Sequence, residues 1–129
     1  MRHDVLMSMS LADLDRYGSA CGIDVTGEQT RERKVEVIEE RRGRVAEVNV
    51  LGMTLTVPKR RLHDQRLADI LSTKLTDESA STAMVLLLGE EQYEAVIERY
   101  TDEDGVIDVE AIGVAFNTLF YGSDELKNY

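Results

Sequence analysis

The sequence predicts an α+β fold that is mainly α: an N-terminal helix pair, one antiparallel β-hairpin and four short C-terminal helices. Three observations lead there. Apolar residues recur at threes and fours towards both ends of the chain, as they do along one face of a helix. Between Arg44 and Val57 the apolar period falls to two, the spacing of a half-buried strand. Capping residues and glycines sit at the breaks, and Pro58, the only proline, closes the alternating stretch.

The first helix opens at Ser10. Its hydroxyl stands three residues before Asp13, close to a capping box. Leu11, Leu14, Tyr17 and Cys21 then share one face, and Gly22 ends the helix. Thr26-Gly27-Glu28-Gln29 is a second capping-box spelling, so a second helix is expected from there to about Arg42, stopped by Gly43. Arg31, Arg33, Lys34, Arg41 and Arg42 interleave with Glu28, Glu32, Glu36, Glu39 and Glu40, which reads as a salt-bridged solvent face. Only Val35, Val37 and Ile38 are left to anchor it. Gly43 is the expected boundary, dividing 1–43, a helix pair and possible appendage, from 44–129.

The hairpin follows. Ala46, Val48 and Val50 alternate with Val45, Glu47 and Asn49; Met53, Leu55 and Val57 alternate with Thr54 and Thr56 around Leu51-Gly52. Pro58 cannot donate to a ladder and ends the second strand. Lys59-Arg60-Arg61 is a short basic spot. The rest reads as helix. Leu62, Leu67, Ile70, Leu71 and Leu75 make a first amphipathic segment, and Thr76 caps a second, with Ala80, Ala83, Met84, Leu87 and Leu88 before Gly89. A third runs from about Glu90 to Tyr100, with Tyr93, Val96, Ile97 and Tyr100 inward. Asp108 caps the fourth, with Ile107 and Ile112 at staple spacing and Phe116, Leu119 and Phe120 on the buried stripe up to Gly122. The tail from Ser123 to Tyr129 is too polar to need fixed structure.

Charge divides the chain more sharply than any motif. Met1 to Arg66 holds 12 Lys/Arg against 11 Asp/Glu, whereas Leu67 to Tyr129 holds 3 against 14. The second half therefore carries the whole formal charge of −10, on a frame of apolar stripes. Such a surface repels nucleic acid and suits a protein that holds another protein. At 129 residues and 43% hydrophobic, the chain can build one core, or one core and a small appendage. Mean hydropathy is −0.27 and no apolar run approaches a membrane span. A signal-peptide pattern is absent, since Met1-Arg2-His3-Asp4 leads into only Val5, Leu6 and Met7. The single cysteine, Cys21, has no intramolecular partner and points to a reducing, cytoplasmic location.

Asp102-Glu103-Asp104-Gly105-Val106-Ile107-Asp108 resembles the middle of an EF-hand loop. With Gly105 at the sixth position, however, the first and twelfth fall on Tyr100 and Ala111, which carry no carboxylate. An Asp/Gly-rich turn with a cap is the better reading. His3 and His63 lack zinc-ligand spacing, and Cys21 sits on an apolar helical stripe like an inert core thiol. No phosphate-binding, dinucleotide-binding or nucleophile-elbow glycine pattern is present. The expectation is a non-enzyme with no catalytic, cofactor-binding or metal residues and with its partner-binding residues unassigned.

From Val45 onward the chain resembles a siphophage or prophage tail assembly chaperone. The resemblance is carried by Val57-Pro58-Lys59-Arg60-Arg61-Leu62 at the hairpin's end and by Leu67-Ala68-Asp69-Ile70-Leu71. It continues through Leu86-Leu87-Leu88-Gly89-Glu90-Glu91-Gln92-Tyr93-Glu94, the acidic turn Asp104-Gly105, Val109-Glu110-Ala111-Ile112 and Leu126-Lys127-Asn128. It implies a host-cytoplasmic protein that coats and solubilises a long helical tape measure protein, and that in some forms recruits the tail tube protein. Binding would use apolar grooves, without cofactor or membrane. Residues 1–43 depart from that family and faintly resemble helix-extended-helix (SAP-like) modules. The alternative is therefore a small nucleic-acid-associated regulator, or an adaptor masking a basic partner. The glutamates among the basic residues weigh against nucleic acid. The hairpin's unpaired edges further predict a homo-oligomer.

Overall fold

Caps and turns set the boundaries of every element. The structure, a computed structural model, describes residues 1–122; the expectation for Ser123 to Tyr129 lies outside them. The fold is α+β and mainly α. Its helices are α1 (His3–Met7), α2 (Leu11–Ala20), α3 (Arg31–Arg42), α4 (Gln65–Leu71), α5 (Asp77–Leu88), α6 (Glu90–Arg99) and α7 (Val109–Asn117). The strands β1 (Val45–Val50) and β2 (Met53–Pro58) stand between α3 and α4. A 3-10 turn, Lys59–His63, follows β2, and a π-helical turn, Thr118–Gly122, follows α7. The chain forms two compact units, one over Met1–Arg44 and one beginning at Val45.

In the first unit Ser10 caps α2, its Oγ accepting from the Asp13 amide at 3.1 Å. The helix ends in a Schellman arrangement around Gly22, whose φ is 75°. The Gly22 amide donates to the Ser19 carbonyl at 3.0 Å and the Ile23 amide to the Gly18 carbonyl at 2.7 Å. This reversal folds the chain so closely onto α2 that a Cβ at Gly18 would lie 2.8 Å from the Ile23 carbonyl oxygen. Only glycine fits there. Leu6, Leu14, Cys21, Ile23, Val25, Val35 and Ile38 make the buried cluster that this turn closes.

Four details of this unit differ from the sequence expectation. The patch Val5-Leu6-Met7 coils into α1, because Leu6 is buried in that cluster, so this unit has three helices and not two. The helix α3 begins at Arg31 and not after Thr26. Its cap is Thr30, whose Oγ1 accepts from the Arg33 amide at 3.2 Å. Thr26 instead donates its hydroxyl and its amide to Asp24 Oδ1, at 2.6 and 3.0 Å, an Asx turn that offers the backbone an alternative to helix. Those two bonds, the hydroxyl's first, hold the Asp24 carboxyl below its ordinary pKa. Leu11 is 42% exposed, since the buried cluster starts one turn further along α2, at Leu14. Lys34, assigned to the solvent face, is buried: its Nζ donates to Asp15 Oδ1 at 2.6 Å and to the Val25 carbonyl at 2.8 Å. Thus α3 is anchored by an ion pair as well as by Val35 and Ile38.

In the second unit β1 and β2 pair antiparallel, from Val50↔Met53 at the turn to Val45↔Pro58 at the open end. Leu51 (φ 46°) and Gly52 (φ 82°) form a two-residue turn with both central residues left-handed, as type I′ requires. Glycine takes that conformation freely and leucine at a cost. Ala46, Val48, Val50, Leu55 and Val57 are buried and Val45, Glu47, Asn49, Thr54 and Thr56 exposed, as the alternation predicts.

Three of the helices behind the hairpin start where expected, α5 after Thr76, α6 at Glu90 and α7 after Asp108. Asp64 caps α4, accepting from the Arg66 amide at 2.8 Å, and its other oxygen lies 2.7 Å from Arg66 Nη2. The Arg66 guanidinium hydrogen bonds, then its amide bond, hold the Asp64 carboxyl below its usual range. Leu75 lies beyond α4, because the Ser72 and Thr73 hydroxyls bond back to the Asp69 and Ile70 carbonyls where the helix ends. Thr76 and Ser79 form a reciprocal capping box at α5. Gly89, at φ 84°, both ends α5 and opens α6. Asp108 caps α7 through the Ala111 amide. After Asn117 the wider π turn keeps Phe116 against Phe120 (centroids 4.7 Å) and brings Tyr121, five residues on, within 6.2 Å of the same ring.

Two substitutions test these turns. Gly18→Ala should lower stability by about 1–3 kcal/mol, because the new methyl must displace backbone. Leu51→Asn should raise it by about 0.5–1 kcal/mol, because asparagine adopts the left-handed conformation more readily. Urea unfolding midpoints check both. A neutral Gly18→Ala, or a destabilising Leu51→Asn, contradicts the geometry described.

Candidate functional site: an apolar groove between α5, α6 and α7

The second unit buries one face of each helix, and α7 has apolar surface left over. Its sequence, Val109-Glu110-Ala111-Ile112-Gly113-Val114-Ala115-Phe116-Asn117, contains one charge. A helix apolar all round is ordinarily buried. Here only Ala115 and Phe116 are buried, while Val109 is 70% and Val114 45% exposed.

Between α7 and its neighbours runs an open groove of about 600 Å³. Met84 and Phe116, both buried, lie at its base. Ala80 and Ser81 of α5, Tyr93 and Ile97 of α6 and Ile112 of α7 form its walls. Gly113 also lines it, and a Cβ there would meet no atom within 4 Å, so a larger side chain has open space to enter. Ile107 (48% exposed), Val109 and Tyr121 (58% exposed) stand on the margin.

The acidic turn before α7 positions that margin. Asp102 Oδ1 accepts from the amides of Asp104 (2.9 Å) and Val106 (3.0 Å), and the Asp102 amide donates to the Val106 carbonyl at 2.9 Å. Thr101 and Ile107 form an antiparallel bridge, and the Asp108 amide donates to the Tyr100 carbonyl at 2.8 Å. Asp102 and Asp108 thus spend carboxylate oxygens on backbone amides, and the turn sets Val106, Ile107 and Val109 facing outward. Next to the groove, sharing Ile107 and Val109 with it, lies a recess lined by Asp102, Asp108, Glu110 and Arg99. Among the described residues, no three metal-ligating side chains come together.

The other residues singled out in the sequence are not among those that line this groove. Cys21 is 8% exposed and accepts a hydrogen bond from Arg42 Nη1 at 2.9 Å. His3 Nδ1 lies 2.7 Å from Glu39 Oε1, and His63 is an exposed residue beside the cap Asp64. Within Lys59-Arg60-Arg61, Arg61 donates to the Leu87 carbonyl at 3.2 Å, a cation at the C-terminal end of α5 where the helix dipole favours one. In α3, Arg33 pairs with Glu28 and Glu36, Lys34 with Asp15, and Arg31 donates to the Met9 carbonyl.

One edge of the hairpin is occupied. The Gln92 side chain accepts from the Thr56 amide at 2.8 Å and donates to the Thr56 carbonyl at 2.7 Å, as a third strand would. Tyr100 Oη donates to the Val50 carbonyl at 3.0 Å. Among the described residues the sheet has only these two strands, so the outer edge of β1 pairs with no further strand.

No single motif marked the groove. Its one visible sign was the near absence of charge from Val106 to Phe116, apart from Asp108 and Glu110, in a half otherwise crowded with carboxylates. The chain matches no family model, no curated protein and no solved structure. Among the described residues no helix is long and apolar enough to cross a membrane.

Proposed function

We propose that the protein is a non-enzymatic, chaperone-like binding protein, of the tail assembly kind that its second unit resembles. On this reading it holds a helical tape measure protein in solution during tail assembly in the host cytoplasm, and it can also engage the tail tube protein. The observation that carries the reading is the groove between α5, α6 and α7. It is apolar and open, with large aliphatic side chains exposed on its margin. Amphipathic helices dock into such grooves through side chains one and two turns apart. Met84 at the base, an unbranched and polarisable side chain, repacks readily around different anchors. The acidic remainder of the surface would keep a coated complex soluble and self-repelling.

The charges of α3 favour this reading over a nucleic-acid regulator. Arg33 and Lys34 are matched by carboxylates and Arg31 is tied to a backbone carbonyl, whereas phosphate binding draws on uncompensated positive charge.

Co-expression with the long helical protein of its own gene cluster is the direct test. The partner should become soluble and co-elute on a sizing column. Gly113→Trp, which fills the groove, should return it to the pellet while the variant itself stays folded. A soluble partner that is indifferent to Gly113→Trp, or one that stays insoluble with the unaltered chain, counts against the proposal.

Self-association through the open β1 edge belongs to the same reading. Light scattering should give a mass above the 14.5 kDa of one chain at high concentration. A single-chain mass throughout would remove the oligomer from the account.

A further inference from the structure

We infer that the groove selects a basic amphipathic helix, one whose apolar stripe is flanked by lysine or arginine. This rests on the groove being the partner-binding surface and adds the chemistry of the occupant. The apolar lining accounts for the stripe, and the charges on the margin account for the flanks. Asp77, in the first turn of α5, lines the groove. Ile107 and Val109 are shared with the neighbouring recess, whose lining includes Asp102, Asp108 and Glu110, with Arg99 as its one cation. Four carboxylates against one cation therefore border the path that a docked helix would take.

The geometry favours a cationic occupant for two further reasons. Asp102 and Asp108 each give one oxygen to backbone amides, which fixes their carboxylates in place beside the recess. The apolar walls lower the local dielectric, so charges at the margin act on an occupant more strongly than they would on an open surface. An acidic helix would instead bring like charges together at the margin, which costs affinity and rejects the wrong partner.

The test uses the full chain and two labelled peptides of about 18 residues, each about 27 Å long as a helix. Both carry the same leucine stripe; one has lysines beside it and the other glutamates. Fluorescence anisotropy at low salt should show the lysine peptide binding about ten-fold more tightly, with the gap narrowing as salt rises. The double variant Asp77→Asn, Glu110→Gln removes two exposed margin charges and should reduce that preference about five-fold. Gly113→Trp and, independently, Val109→Ser should weaken binding of the lysine peptide, so misfolding of either variant leaves the other to report. Equal binding of both peptides, abolished by Gly113→Trp, overturns the charge preference and leaves the groove reading standing. Failure of both peptides to bind overturns the groove reading and this inference with it. Lysine-peptide binding indifferent to both groove variants shows adsorption to the acidic surface and overturns the inference alone.

Discussion

Short helices have to lean on one another, and the second unit depends on a single helix for this. Its helices run from 7 residues in α4 to 12 in α5, lengths that are marginal alone in water. Met84, Leu87 and Leu88 of α5 enter the same buried cluster as Leu55 and Val57 of β2, Leu67 of α4, Val96 of α6 and Phe116 of α7. The capping box at Thr76 and the left-handed Gly89 fix where α5 starts and stops. While α5 packs on the hairpin, α4 and α6, Ala80, one turn before Met84 and packed against the same cluster, walls the groove beside α7 together with Ser81. The groove follows from the packing of the core.

The same frame gives the acidic half two physical roles. Glu90 and Glu91 in the first turn of α6, and Asp77 and Glu78 in that of α5, sit where the helix dipole favours negative charge. Asp102 and Asp108 are tied to backbone amides and hold the turn that turns Ile107 and Val109 outward. On the proposed reading, carboxylates that stabilise the fold would also define the field in which a partner docks. The Gln92 clamp acts in a similar way on the sheet: by taking the Thr56 amide and carbonyl it removes one edge from competition and leaves β1 as the place for strand pairing.

Much of the fold was legible because local rules and packing agree. Ser10, Thr76 and Asp108 look like caps and are caps, and the alternation of Val48, Val50, Leu55 and Val57 matches their burial. The misreadings have physical causes. Thr26 spells a cap but turns back to Asp24, while Ile23 and Val25, both buried, hold that stretch out of helix. Lys34 reads as one more surface cation, and only the fold brings Asp15 and the Val25 carbonyl to its ammonium. The groove was the least legible of all, since it is a relation between three helices, whereas periodicity describes each helix separately. Val109 fits a buried stripe as well as an exposed margin, and only the packed structure distinguishes the two.

The central claim is that the surface between α5 and α7 holds the helical partner. Hydrogen exchange on the chain alone and in complex with the co-expressed partner tests it most directly. The account predicts slowed exchange on binding in residues 107–121 and in the Ala80 to Met84 stretch of α5, with Met1–Arg44 unchanged. Protection confined to Met1–Arg44, with α5 and α7 exchanging as in the free chain, would contradict it.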